Sequence, residues 1–131
     1  MLSPSCAEMG LSLGGTQISD AGVAHLKGLR TLQNLSLGDT QVTDAGLEHL
    51  QGLTALRRLH LSHTQVTDDG LEHLKGLIGL RTLALTGTQV TDSGLKLLEG
   101  TASLRLIYLQ ATKVTQEGRD KLEAAIPSLS F

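Results

Sequence analysis

The stretch LRRLHLSHTQVTDDGLEHLKGLIG, Leu56 to Gly79, decides the fold. Its first half alternates. Leu59, His60, Leu61 and Ser62 have a period of two, the mark of a short strand with one buried face, so the leucines point inward and His60 and Ser62 outward. After Val66 the period changes, because Leu71, Leu74 and Leu77 sit three apart, the spacing of one helical face. Thr67 is placed to cap that helix by accepting an amide hydrogen bond, and Asp68 adds negative charge where the helix dipole is positive.

The same stretch recurs along the chain. Thr16, Thr40, Thr64, Thr88 and Thr112 are spaced 24 residues apart. Ile18, Val42, Val66, Val90 and Val114 keep the same step, as do Asp20, Asp44, Asp68 and Asp92, with Gln116 as the departure. Leu32, Leu56, Leu80 and Leu104 open the units; Leu35, Leu59, Leu83 and Ile107 follow, then Leu37, Leu61, Leu85 and Leu109. Self-similarity at such a period is the signature of a stacked-repeat architecture, in which each unit buries its apolar face against its neighbours.

Each unit resembles the leucine-rich repeat, whose pattern is L-x-x-L-x-L-x-x-N/C-x-L, with Thr standing where that family has Asn or Cys. The Thr-Asp-x-Gly-Leu segment further resembles the short-repeat subclass of F-box-type and bacterial members. The match runs from about Gly10 to Ile126. It implies an α/β fold: a leucine-rich repeat solenoid, curved into a right-handed superhelix with parallel strands on the concave face and helices on the convex face. Stacked strands lie about 4.8 Å apart and packed helices about 8–10 Å, which bends the stack in that sense.

Length and composition set limits. With 131 residues the chain is expected to form one domain of about five repeats, residues 1–9 being an incomplete N-terminal part and 115–131 a capping helix with a tail. The core is aliphatic, since the chain has one Tyr, one Phe and no Trp. A net charge of −2 lacks the excess that nucleic acid binding requires. No segment has the uninterrupted apolar length of a membrane span. Cys6 is the only cysteine, so no intrachain disulfide or cysteine cluster forms, and a cytoplasmic location is expected.

Three columns raise physical questions. Gly28, Gly52, Gly76 and Gly100 follow the helical pattern and are expected to close each helix in the left-handed conformation. Gly22, Gly46, Gly70, Gly94 and Gly118 lie inside the first helical turn, where each should cost about 0.8–1 kcal/mol relative to Ala. A cost repeated in every unit implies a steric reason, a close approach to neighbouring backbone. The Thr16 to Thr112 column is expected to bridge each turn to the next through its hydroxyls.

Departures mark the ends. In the last unit Arg119 replaces an apolar residue and Ala124 replaces the closing Gly, so that helix is expected to run on toward Pro127 as a terminal cap. At the other end Glu8 occupies a leucine column. That edge is expected to be poorly covered and to offer a surface for self-association.

Function is sought on the outward strand columns. They hold Asn34, Arg58, Thr82 and Leu106; Ser36, His60, Ala84 and Tyr108; and Gly38, Ser62, Thr86 and Gln110, with His63 in the following turn. Leucine-rich repeats typically serve as interaction scaffolds, so the resemblance implies a non-catalytic module that binds another protein through this face. The candidate contacts are Arg58, His60, Ser62, His63, Thr82, Thr86, Leu106, Tyr108 and Gln110. Tyr108 and Leu106 form the apolar corner, unless they cover the sheet end under the tail Leu129 to Phe131. An alternative is the recognition part of a larger adaptor or enzyme. A third reading is a small hydrolase using Ser62, His63 and Asp39, but an open sheet lacks the deep site and oxyanion donors that reaction needs. His25, His49 and His73 recur on helices too far apart to share a zinc ion, so no metal or cofactor is expected. Arg57, Arg81 and Arg105 form a like-charge column beside the strand starts, with a solvated edge and an acidic-partner site as its two readings.

Overall fold

The computed structural model describes residues 10–131. Five short strands, β1 (Gly10–Ser12), β2 (Asn34–Ser36), β3 (Arg58–His60), β4 (Thr82–Ala84) and β5 (Leu106–Tyr108), form one parallel sheet in chain order. The register is one unit per strand: Leu35 pairs with Leu59, Leu59 with Leu83 and Leu83 with Ile107. Each strand feeds a helix: α1 (Asp20–Val23), α2 (Asp44–Glu48), α3 (Asp68–Leu71), α4 (Asp92–Leu98) and α5 (Gln116–Ala125). The five-unit α/β solenoid is the architecture that the 24-residue spacing implies. The expectation for residues 1–9 lies outside the described residues.

Between sheet and helices runs a single aliphatic column. The unit-opening leucines from Leu32 to Leu104, the mid-strand residues Leu59, Leu83 and Ile107, and the helical Leu47, Leu71 and Leu98 are buried in it. Leu11, Leu13 and Ile18 are only partly buried against it. At the other end Leu122 and Ile126 of α5 and Leu129 beyond it are buried. Ser130 donates its amide to the Arg105 carbonyl and accepts from the Ile107 amide, which places the tail beside β5 as one further bridge.

Several local expectations are corrected. The helices are shorter than the leucine spacing suggests: α1 and α3 pass into tight 3-10 turns at Ala24–Leu26 and Glu72–Leu74. Gly28, Gly52, Gly76 and Gly100 do not adopt the left-handed conformation. The described glycines with positive φ are Gly15 and Gly87, both at +73°, and they belong to the turn after the strand. That column is left-handed in every unit, through Asp39 (+56°), His63 (+59°) and Ala111 (+56°).

The threonine column acts within its own unit. Thr40, Thr64 and Thr88 are buried, and each hydroxyl donates to the carbonyl three residues back: Leu37 at 2.6 Å, Leu61 at 2.7 Å and Leu85 at 2.6 Å. Each closes its own turn and bridges nothing.

The tie between units comes from the aspartate column, which sequence reasoning assigned only to the helix dipole. The Asp44 carboxylate accepts from the Thr67 amide at 2.7 Å and from the Thr67 hydroxyl, and Asp20 does the same for Thr43. Thr43, Thr91 and Thr115 also accept amide hydrogen bonds as N-caps, from Ala45, Ser93 and Gly118. Thr67 has no such cap bond, so its hydroxyl serves the neighbouring unit instead of its own helix.

This ladder explains four of the five glycines in the first helical turn; at Gly22 a Cβ would instead stand 2.6 Å from Ile18 Cγ1 of the same unit. A Cβ on Gly46, Gly70, Gly94 or Gly118 would collide with the preceding unit's carboxylate, Asp20, Asp44, Asp68 or Asp92. At Gly70 it would also stand 2.9 Å from Leu47 Cδ1. The close approach inferred from sequence is present, but the obstacle is an anchored side chain, not backbone. Gln116 stands in the aspartate column of the fifth unit, and its side-chain amide donates to Asp120 within α5 at 2.9 Å.

Candidate functional site

The outward face of the sheet is set by register. Asn34, Arg58, Thr82 and Leu106 face one another across successive strands, as do Ser36, His60, Ala84 and Tyr108. Two depressions lie on this face. The first, of about 450 Å³, runs from Gly10 and Ser12 across Asn34, Ser36, Arg58, His60 and Thr82 to Tyr108. The second, of about 490 Å³, is lined by His60, Ser62, His63, Ala84, Thr86 and Tyr108. His60 and Tyr108, joined by Ala84 on the floor between them, therefore border both.

Backbone openings make room for the two imidazoles. A Cβ on Gly38 would stand 2.9 Å from His60 Nδ1, and one on Gly87 would stand 2.7 Å from His63 Cε1. His60 thus lies back over β2's exit and His63 forward over the fourth unit's turn. Sequence reading placed Gly38 among the outward residues, gave Gly87 no role, and missed that both are the beds of the histidines. It also stopped at the C-terminal half of the face, whereas Ser12, Asn34 and Ser36 line the first depression as well. Their membership of the same outward columns was the available signal.

The nine candidate residues are not equally placed. Arg58, His60, Thr82 and Tyr108 line the first depression, and His60, Ser62, His63, Thr86 and Tyr108 the second. Ser62 is buried at 6% exposure. Leu106 is half-buried beside Ser130 and lines neither, and Gln110 lies outside both, accepting from the Thr86 hydroxyl at 3.1 Å. Tyr108 remains 39% exposed, so its ring is the one large aromatic surface available among the outward columns.

The grouping of Ser62, His63 and Asp39 is not assembled. No side-chain hydrogen bond joins these three, and the His63 imidazole lies over Gly87, one unit away from Asp39 in the opposite direction. His63 and Asp39 share a left-handed turn position that Gly, Asn, Asp and His tolerate best, which accounts for these two residues without invoking chemistry. On the helices, His73 Nδ1 meets Gln51 Nε2 at 2.5 Å, and His49 is half-buried. Among the described residues no three His, Cys, Asp or Glu side chains converge to hold a metal ion. Nor is any described helix long and apolar enough to cross a membrane.

Comparison with known proteins agrees with this geometry. Residues 9–66 and 80–98 match two leucine-rich repeat family profiles. The chain is a leucine-rich repeat protein. Its fold is similar to that of an internalin (inlF) from Listeria monocytogenes, at a TM-score of 0.80 and 23% identity, covering 93% of this chain and 33% of the internalin. It is also similar to internalin C2 of that organism (TM-score 0.64, 24% identity, 92% of this chain and 58% of the other). A leucine-rich repeat protein from Leptospira interrogans gives 0.62 and 19%, over 93% of this chain and 36% of the other. At these identities the likeness establishes the fold, and the chain spans between a third and three fifths of each of these structures. No curated protein matches the chain.

Proposed function

We propose that this protein is a non-catalytic interaction module that binds another protein through the outward face of its sheet. One observation carries the reading. The two depressions of that face meet at His60, Ala84 and Tyr108, a place where the inward Leu59, Leu83 and Ile107 hold outward residues that differ from unit to unit around a half-exposed aromatic ring. Interface hot spots favour aromatic and arginine anchors of this kind, and Arg58 lies beside it. Leucine-rich repeat proteins generally mediate protein–protein interaction, which supports the same reading.

Photo-crosslinking tests it. A crosslinking residue placed at Thr82 on the outward face is expected to capture a partner from the source cell. The same residue at Glu72 on the helical side is expected to capture none. Capture from Glu72 alone would move the binding surface to the helices.

A further inference from the structure

The small net charge conceals a strong polarity. From strand entrance to the following turn, the described residues carry Arg57, Arg58, Arg81 and Arg105 against a single carboxylate, Asp39. The exposed carboxylates Glu48, Asp69, Glu72 and Glu99 lie on the helical side, in company with the exposed Lys27, Lys75 and Lys96. Arg57, Arg81 and Arg105 are stacked in register, since the Arg81 amide donates to the Arg57 carbonyl at 2.7 Å and the Arg105 amide to the Arg81 carbonyl at 2.8 Å. Consecutive members are therefore one strand spacing apart, about 4.8 Å. Among the described residues no carboxylate pairs with them, and the Arg105 guanidinium donates to the Ala102 and Leu104 carbonyls at 2.9 and 3.1 Å. Among the described residues the one ion pair is Lys121 with Glu117, on α5.

Three exposed like charges on consecutive strands repel one another, and the backbone pairing at this column does not require them, because it is independent of the side chain. We infer that the occupant of the outward face is an acidic, extended polypeptide segment lying across the strands; this rests on the proposed function. Five strands span four gaps, about 19 Å, the length of about six residues of extended chain. Carboxylates on one edge of such a segment meet the Arg57, Arg81 and Arg105 row, while its remaining side chains lie in the depression between Arg58, His60 and Tyr108. A nucleic acid fits less well. Single-stranded nucleic acid needs several stacking aromatics along a basic groove, and this face presents Tyr108 alone.

Random octapeptides displayed on phage and panned on the full chain test the inference. The enriched sequences are expected to be net acidic, and their affinity, measured by fluorescence anisotropy on synthetic copies, is expected to fall about tenfold or more in the double variant R57E/R81E. Enrichment of neutral or basic sequences, no enrichment at all, or affinity unchanged in R57E/R81E would overturn it. A single-stranded oligonucleotide that outcompetes the acidic peptides would also overturn it. Both arginines are exposed, so the double variant is expected to fold, which a thermal melt checks. Peptides that lose affinity in Tyr108→Ala but not in R57E/R81E would leave the outward face as the binding surface and refute the acidic class alone. Loss in R57E/R81E with none in Tyr108→Ala would move binding to the strand-entrance edge.

Discussion

Asp68 holds Thr91, one unit further along the chain, by two hydrogen bonds: the Thr91 amide donates to Oδ1 at 2.7 Å and its hydroxyl to Oδ2 at 2.5 Å. Hydrogen bonds to a charged acceptor are the stronger kind, and both are made at a helix start whose amides need partners. Asp68→Ala removes both acceptors and is expected to cost about 1.5–3 kcal/mol, whereas Asp68→Asn keeps one oxygen for the amide and should cost less. Urea unfolding of the two variants checks the order; equal stabilities in Ala, Asn and wild type would dismiss the ladder.

The same carboxylates fix the sign of glycine substitutions. Gly70→Ala is expected to destabilise by about 1–3 kcal/mol, because Asp44 is pinned by Thr67 and cannot swing aside, and Leu47 is fully buried. Gly52 is the contrast. Its φ is not positive and a Cβ there meets nothing within 4 Å, so Gly52→Ala should stabilise by about 0.4–1 kcal/mol. Paired thermal melts read both signs, and a more stable Gly70→Ala would remove the steric account.

Within each turn the threonine hydroxyl decides whether a carbonyl keeps a partner. Thr64→Val leaves the Leu61 carbonyl without the hydroxyl, and no backbone amide donates to that oxygen. A loss of about 1–3 kcal/mol is expected. In the fourth unit the Thr88 amide also reaches the Leu85 carbonyl, at 3.2 Å, so Thr88→Val should cost less. Chemical denaturation with unchanged slope distinguishes the two; a cost at Thr88 equal to or above that at Thr64 would contradict the accounting.

Asp92 makes this ladder sensitive to acid. The Thr115 hydroxyl, then the Thr115 amide, then the charge of Lys121 hold its carboxyl below the ordinary value of 3.8, against an opposing effect of desolvation. A group whose folded value is depressed contributes stability above its unfolded value and loses it as pH falls through the folded one. The tie between α4 and α5 is therefore expected to weaken at acid pH below about 4, and Asp92→Asn to flatten that part of the stability profile. Melting temperatures measured from about pH 7 down to about pH 3 supply the test, and parallel profiles for variant and wild type would count against it.

These cases show what was legible in the chain. Period two followed by period three, repeated at 24 residues, is a local pattern, and it carried strand order, register and the inward leucines without any knowledge of contacts. The direction of a polar side chain is not local. Asp68 and Thr67 look like a helix start from either viewpoint, and only the 23-residue offset between Asp68 and Thr91 shows the carboxylate serving the next unit. Likewise Gly38 reads as a small outward residue until the His60 imidazole is seen to occupy the space above it, and nothing local marks Gly87 as the bed of His63. Left-handed turns at Asp39 and Ala111 carry no glycine to announce them.

The binding prediction turns on that distinction between columns and neighbourhoods. Leu106 and Tyr108 both face outward, but Leu106 is half-buried beside the Ser130 bridge while Tyr108 stays 39% exposed and borders both depressions. An aromatic anchor at the meeting point of two concave sites is where truncation removes most buried contact area, and surrounding residues act mainly by excluding water. With a partner in hand, Tyr108→Ala is expected to weaken binding by at least about 2 kcal/mol with the melting temperature unchanged. Arg57→Ala removes one rim charge from a row of three and should cost under about 1 kcal/mol. Isothermal titration of both variants decides. Equal and negligible effects would take the binding surface off this face.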